Sequence, residues 1–96
     1  MSYLNYAGYI LRIDKFLNAV NLTKRRAVAQ DMILEGVVFV NGKEVKQSKN
    51  ISIGDVITLI FLNHKAQYEI LSIPTLKSTP KSEQNLYIKE IFDDKE

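Results

Sequence analysis

Four β-branched or aromatic residues, Val37 to Val40, run directly into Asn41-Gly42 and on to Lys43-Glu44-Val45. An apolar run broken by Asn-Gly is the strongest short-range hairpin signal. The pair supplies the two positive φ values of a type I′ turn, whose twist matches that of the strands it joins. A chain built around such a hairpin is committed to an antiparallel sheet. A second turn at Gly54-Asp55 launches Val56 to Leu62, and Ala66 to Ile73 returns across Asn63-His64-Lys65 before Pro74 ends the strand. The stretch between the hairpins, Lys46 to Asn50, is polar. His64 falls at a turn, where exposed turn polarity is its expected role.

Upstream the period changes. Ile13, Phe16, Leu17 and Val20 follow the i, i+3, i+4, i+7 spacing of a short amphipathic helix. That leaves Asp14, Lys15 and Asn18 facing outward. After a polar break at Asn21, Thr23 is the expected N-cap of a second helix running to about Glu35 and stopped by Gly36. Its buried stripe is Val28, Ala29, Met32 and Ile33. Two or three residues between the helices imply a tight corner. Helices before strands, in one small core, give the α+β class: two helices packed on a small, mostly antiparallel β-sheet.

The ends read differently. Residues 1–10 form an N-terminal extension in which Tyr3, Tyr6 and Tyr9 recur every third residue. Packing on the sheet or disorder is expected of them before stacking on bases. The domain itself is expected over 11–74. Residues 75–96 are read as a polar linker, KSTPKSEQN over 77–85, followed by a short helix over Leu86 to Phe92. Ile88, Ile91 and Phe92 would dock it, and Asp93 to Glu96 would fray.

Composition removes several kinds of chemistry. With no cysteine and a single histidine among 96 residues, the chain offers neither a thiolate metal site nor an imidazole cluster nor a nucleophilic triad. No metal, cofactor, small-molecule substrate or catalytic residue is expected. The longest apolar runs fall far short of a bilayer span, and MSYLNYAGYILR lacks the basic start and cleavage region of a signal peptide, so the chain is expected in the cytosol without a membrane partner.

The net charge of +2 conceals an asymmetry. Residues 1–50 carry eight basic groups against four acidic ones, and all three arginines; residues 51–96 carry five against seven. Arginine's planar fork suits bidentate phosphate contact. Lys24-Arg25-Arg26 sits where the second helix is expected to begin, at the positive end of its dipole, where cations are unfavourable unless an anion gathers them. A phosphate backbone would do so, and is the reading preferred here to a solvated face partly neutralised by Asp14 or Asp31. Arg12 and Lys15, beside the corner, would widen the patch. Asp14 reads as an internal partner orienting Arg26 or Arg12, since a lone carboxylate lacks the second group that acid/base chemistry needs. Gln30, four residues beyond Arg26, would meet the same strand or face solvent. Lys43, beside the hairpin turn, would reach a neighbouring phosphate.

Arg12-Ile-Asp-Lys-Phe-Leu17, Leu22-Thr-Lys-Arg-Arg26 with Ala29 and Ile33, Gly36-Val-Val-Phe-Val-Asn-Gly42, Val45, Ser48 and Gly54-Asp55 together resemble the S-four RNA-binding domain, or alpha-L motif, over roughly residues 11–60. The resemblance implies that Arg12, Asp14, Lys15, Lys24, Arg25, Arg26, Gln30 and Lys43 contribute to an RNA-binding face. Arg25 stands where many members have Ser or Thr, and Gln30 where many have Arg. Short stand-alone members fall into two related bacterial groups, one of heat-shock ribosome recycling and one of ribosome quality control. Leu22 to Arg26 and Leu86-Tyr-Ile-Lys-Glu are more similar to the second. This implies a monomeric, non-catalytic protein that binds ribosomal RNA and tRNA on a large subunit still carrying peptidyl-tRNA. Two alternatives remain: an interaction module using the C-terminal segment or sheet edge, and an accessory RNA-binding subunit of an RNA-modifying enzyme.

Overall fold

The computed structural model describes residues 11–94; the expected N-terminal extension with Tyr3, Tyr6 and Tyr9 lies outside them. Ile13, Phe16, Leu17 and Val20 are all fully buried, as their spacing requires, and helix α1 spans Ile13–Ala19. Burying each of these large side chains contributes roughly 1.5–3 kcal/mol. The helix ends in a left-handed cap. Asn21 has φ +67°, its N–H donates to the Asn18 carbonyl (3.1 Å), and the Leu22 N–H donates to the Leu17 carbonyl (3.0 Å). These are the two bonds of a Schellman motif, and they satisfy carbonyls the helix would otherwise orphan.

Helix α2 spans Arg26–Leu34, starting later than Thr23 predicts. The α1 cap captures the Thr23 N–H, which donates to the Leu17 carbonyl, while the Thr23 hydroxyl is buried and donates to the Arg25 carbonyl. Thr23 is thus not the N-cap of α2. Arg25 holds the N-cap position with no side-chain bond. The connection is longer than the expected corner, and of the basic triplet only Arg26 lies within the helix. Ala29 and Ile33 are buried and Met32 half-buried, but Val28, expected in the stripe, is exposed. Gly36, at φ +77°, closes α2 with a second Schellman pair, Gly36 N–H to Ile33 and Val37 N–H to Met32. A Cβ there would meet only the movable end of the exposed Glu44 side chain, so it is the positive φ that calls for glycine.

The sheet begins as expected. Strands β2 (Val38–Val40) and β3 (Lys43–Glu44) pair Val40 with Lys43 across Asn41 and Gly42, at φ +52° and +81°. Strand β5 (Val56–Ile60) pairs with β2, and β6 (Lys65–Ile70) with β5. Asn41 also fastens one turn to the next: its amide donates to Asp55 and its side-chain oxygen accepts from the Val56 N–H. The short strands β1 (Leu11–Arg12) and β4 (Asn50–Ile51) form a separate antiparallel pair that the polar stretch 46–50 does not announce. They anchor the start of α1, whose Ile13 N–H donates to the Lys49 carbonyl (2.8 Å).

Beyond Pro74 the structure departs from the expected linker and helix. Lys81–Glu83 form a 3-10 turn, Gln84–Tyr87 a short helix α3, and Ile88–Asp93 an edge strand β7 antiparallel to β6. The five-stranded order is β3-β2-β5-β6-β7. Thr79 lies buried in the expected linker because it closes the end of α1: its N–H and hydroxyl both donate to the Ala19 carbonyl, and Gln84 donates to that of Val20. Helical spacing for Ile88, Ile91 and Phe92 is overruled by pairing. Ile88 enters the core, while Ile91 forms a bulge between Glu90 and Phe92, a common device at an edge strand. Asp94, expected to fray, exchanges hydrogen bonds with the Lys65 backbone. His64 is not free turn polarity either; its ring stacks on Phe61 at 4.5 Å.

Candidate nucleic-acid interface

Sequence spacing puts Asp14 on the outer surface of α1, yet it is fully buried. Three side chains from two elements close over it. Its Oδ2 accepts from Arg12 Nη2 (3.0 Å), Arg26 Nε and Nη2 (3.3 and 3.2 Å) and Gln30 Nε2 (3.1 Å). Its Oδ1 accepts from the Lys15 backbone N–H (2.8 Å), one of the donors a helix start leaves over. Arg12 is delivered by the β1–β4 pair; Arg26 and Gln30, four residues apart, come from one face of α2.

Burial alone would raise the Asp14 pKa. The Gln30 hydrogen bond and the charges of Arg26 and Arg12 outweigh it, and hold the carboxyl below its ordinary 3.8. Asp14 is thus an ionised strut beneath the surface, the internal partner of Arg12 and Arg26 that the sequence suggests, and it reaches the surface only through the side chains it holds. Above it the Arg12 and Arg26 side chains remain 40% and 41% exposed, two guanidinium groups sharing one carboxylate. The carboxylate occupies the Nε–Nη2 edge of Arg26, leaving Nη1 and the planar face of the group for another partner.

Around this pair the other predicted residues divide. Lys15 is exposed and lines a cavity of about 370 Å³ with Arg26, Leu11, Asn18, Leu76 and Lys77. Lys24 and Arg25 are exposed just ahead of α2, with no ion pair among the described residues. Gln30 turns its amide inward to Asp14. Lys43 does not join the arginine pair. It lines a depression with Lys46 and Lys49, which continues through Glu44, Val45 and Ser48 into one bordered by Arg12. Local sequence gives no signal for Lys46 or Lys77: the first lies in a stretch with no periodicity, the second in the expected linker. Among the described residues no His, Cys, Asp and Glu cluster could hold a metal, and no helix is long and apolar enough to cross a membrane.

The model of the S4 domain matches residues 11–57, the stretch that carries both arginines, Asp14 and the hairpin. A Helicobacter pylori protein named RQC P-site tRNA stabilizing factor is 50% identical over 78 residues, covering 81% of this chain and 93% of that one. The chain belongs to the S4-domain family. Within it, a Bacillus subtilis protein with the same name is 33% identical over 79 residues, 80% of this chain and 88% of its own length. The trimeric structure of Vibrio cholerae heat shock protein 15 superposes with a TM-score of 0.77 at 31% identity, covering 84% of this chain and 81% of that one. The S4-family match stops at residue 57, whereas these likenesses extend well past it, so the docked C-terminal segment falls outside the S4 motif itself.

Proposed function

We propose that this S4-family protein binds structured RNA without catalysing a reaction, and that it serves ribosome quality control by holding tRNA against ribosomal RNA on the large subunit. The observation that carries the reading is the buried Asp14 carboxylate orienting Arg12 and Arg26 while leaving both guanidinium groups accessible. A fixed fork meets phosphate with less loss of side-chain freedom than a free one, which favours recognition of a folded RNA shape. Lys15 flanks the pair, and Lys24 and Arg25 add charge without comparable restraint. The names of the relatives support the finer part of the reading, tRNA stabilisation in quality control.

The test is binding to purified large ribosomal subunits with and without peptidyl-tRNA across a salt series. Wild-type protein should favour the tRNA-bearing subunit. Arg12→Ala and Arg26→Ala should each lower affinity, and the slope of log affinity against log salt should fall by roughly 0.7–0.9 for each phosphate that is no longer neutralised. Unaltered affinity and slope in both variants would refute this face.

A further inference from the structure

The cavity beside Arg26 is formed by two parts of the chain far apart in sequence. One wall is Leu11, Lys15 and Asn18 from β1 and α1; the other is residues 74–77, including Leu76 and Lys77. The second wall is held firmly: Thr79 donates twice to the Ala19 carbonyl, and the Asn21 amide donates to the Thr79 carbonyl at 2.7 Å. At about 370 Å³ the cavity lies at the small end of ligand pockets, too small for a stretch of duplex. Three cations line it, Lys15, Arg26 and Lys77, and no carboxylate does. Leu76 stands 64% exposed at its edge, a large aliphatic side chain left in water.

We propose that this cavity receives one unstacked nucleotide of the bound RNA. Lys15 and Lys77 take its phosphate. Leu76 and Leu11 cover one side of the base, and the Arg26 guanidinium, its plane fixed by Asp14, offers a surface on which a base stacks. Asn18, with both donor and acceptor, meets the base edge. An apolar wall beside cations suits a base attached to a phosphate better than a phosphate alone, and base edges become readable in RNA where a nucleotide is splayed out of the helix. This deepens the proposed function and rests on it: the Arg12–Asp14–Arg26 face grips the backbone, and the cavity selects a site where one nucleotide is free.

The test compares two short RNA hairpins of the same stem, one fully paired and one carrying a single bulged adenine, by fluorescence anisotropy with the full chain. The wild type should bind the bulged hairpin about tenfold more tightly, the order expected of one stacked base. Leu76→Ser and Asn18→Ala should erase that preference while leaving affinity for the paired hairpin nearly unchanged. Arg12→Ala, outside the cavity, should weaken both hairpins by the same factor. Equal binding of the two hairpins by wild type, or a preference that survives in both cavity variants, would overturn the nucleotide site while leaving the backbone-gripping face intact. If neither hairpin binds in a salt-dependent way, the RNA reading itself falls and the nucleotide site with it.

Discussion

Arg26 and Arg25 are neighbours in sequence with the same charge, but they are held in opposite ways. Arg26 shares the buried Asp14 carboxylate with Arg12 and Gln30, whereas Arg25, at the N-cap, is exposed and has no ion pair among the described residues. Lys24 stands with Arg25. The difference is between charge that has been aimed and charge that has only been placed. Placed charge adds to the field drawing a polyanion in; aimed charge can also discriminate the shape it meets.

The largest effect that breaks this contrast is expected from Asp14→Ala. Arg12, Arg26 and Gln30 would lose a common acceptor, at a cost of about 1–3 kcal/mol in urea unfolding, since the half-exposed arginines can rehydrate. Arg25→Ala should leave the urea midpoint nearly unchanged. Next comes binding. Arg26→Ala should cost about 1–2 kcal/mol of RNA affinity, roughly five- to thirtyfold at fixed salt, and Arg25→Ala or Lys24→Ala about 0.5 kcal/mol or less, all read from the same titration. Equal losses at positions 25 and 26 would mean that the shared carboxylate does not matter for recognition.

The pH dependence sharpens the same contrast. Because the folded-state pKa of Asp14 lies below its ordinary 3.8, the ionised carboxylate contributes stability that is fully present above that value and is lost as pH falls through the lowered pKa. The wild-type urea midpoint should therefore drop on acidification from about pH 5 toward about pH 2 more steeply than that of Asp14→Asn, which has no proton to take up there. Parallel curves for the two proteins would contradict an ionised strut. A smaller effect than that of Arg26→Ala is expected from Arg26→Lys. The charge survives but the fork is lost, and affinity should fall by a few-fold, whereas Arg25→Lys should be silent.

Much of this architecture is legible in local sequence. The α1 stripe, the Asn-Gly hairpin and the glycine that ends α2 are each written within a few residues, by helical period or by positive φ, and the structure follows them. The failures arise where a distant partner overrides the local signal. Thr23 carries the right side chain to cap α2, but the α1 cap takes its backbone N–H, its hydroxyl turns to the Arg25 carbonyl, and α2 begins only at Arg26. KSTPKSEQN looks like linker because it is polar, and polarity is what the C-terminal end of α1 needs, since Thr79 and Gln84 satisfy its last carbonyls. Ile88, Ile91 and Phe92 have helical spacing, yet the open edge of β6 recruits them as a strand. At the site, Asp14 is recognisable from sequence as a partner for Arg12 or Arg26 but not as one buried beneath both, because the covering side chains come from separate elements. The C-terminal segment is likewise held by a distant partner: Ile88 enters the core and β7 pairs with β6, while Ile91 and Phe92 stay exposed.

The most direct test is the affinity of Asp14→Asn for tRNA-bearing large subunits, at a temperature where the variant is folded. Counting charges alone, removing a negative group from a positive face should tighten binding to a polyanion. If the carboxylate's work is to aim Arg12 and Arg26, binding must instead weaken, by several-fold at least; an Asp14→Asn protein that binds as tightly as wild type, or more tightly, would show that the face acts by charge and not by arrangement.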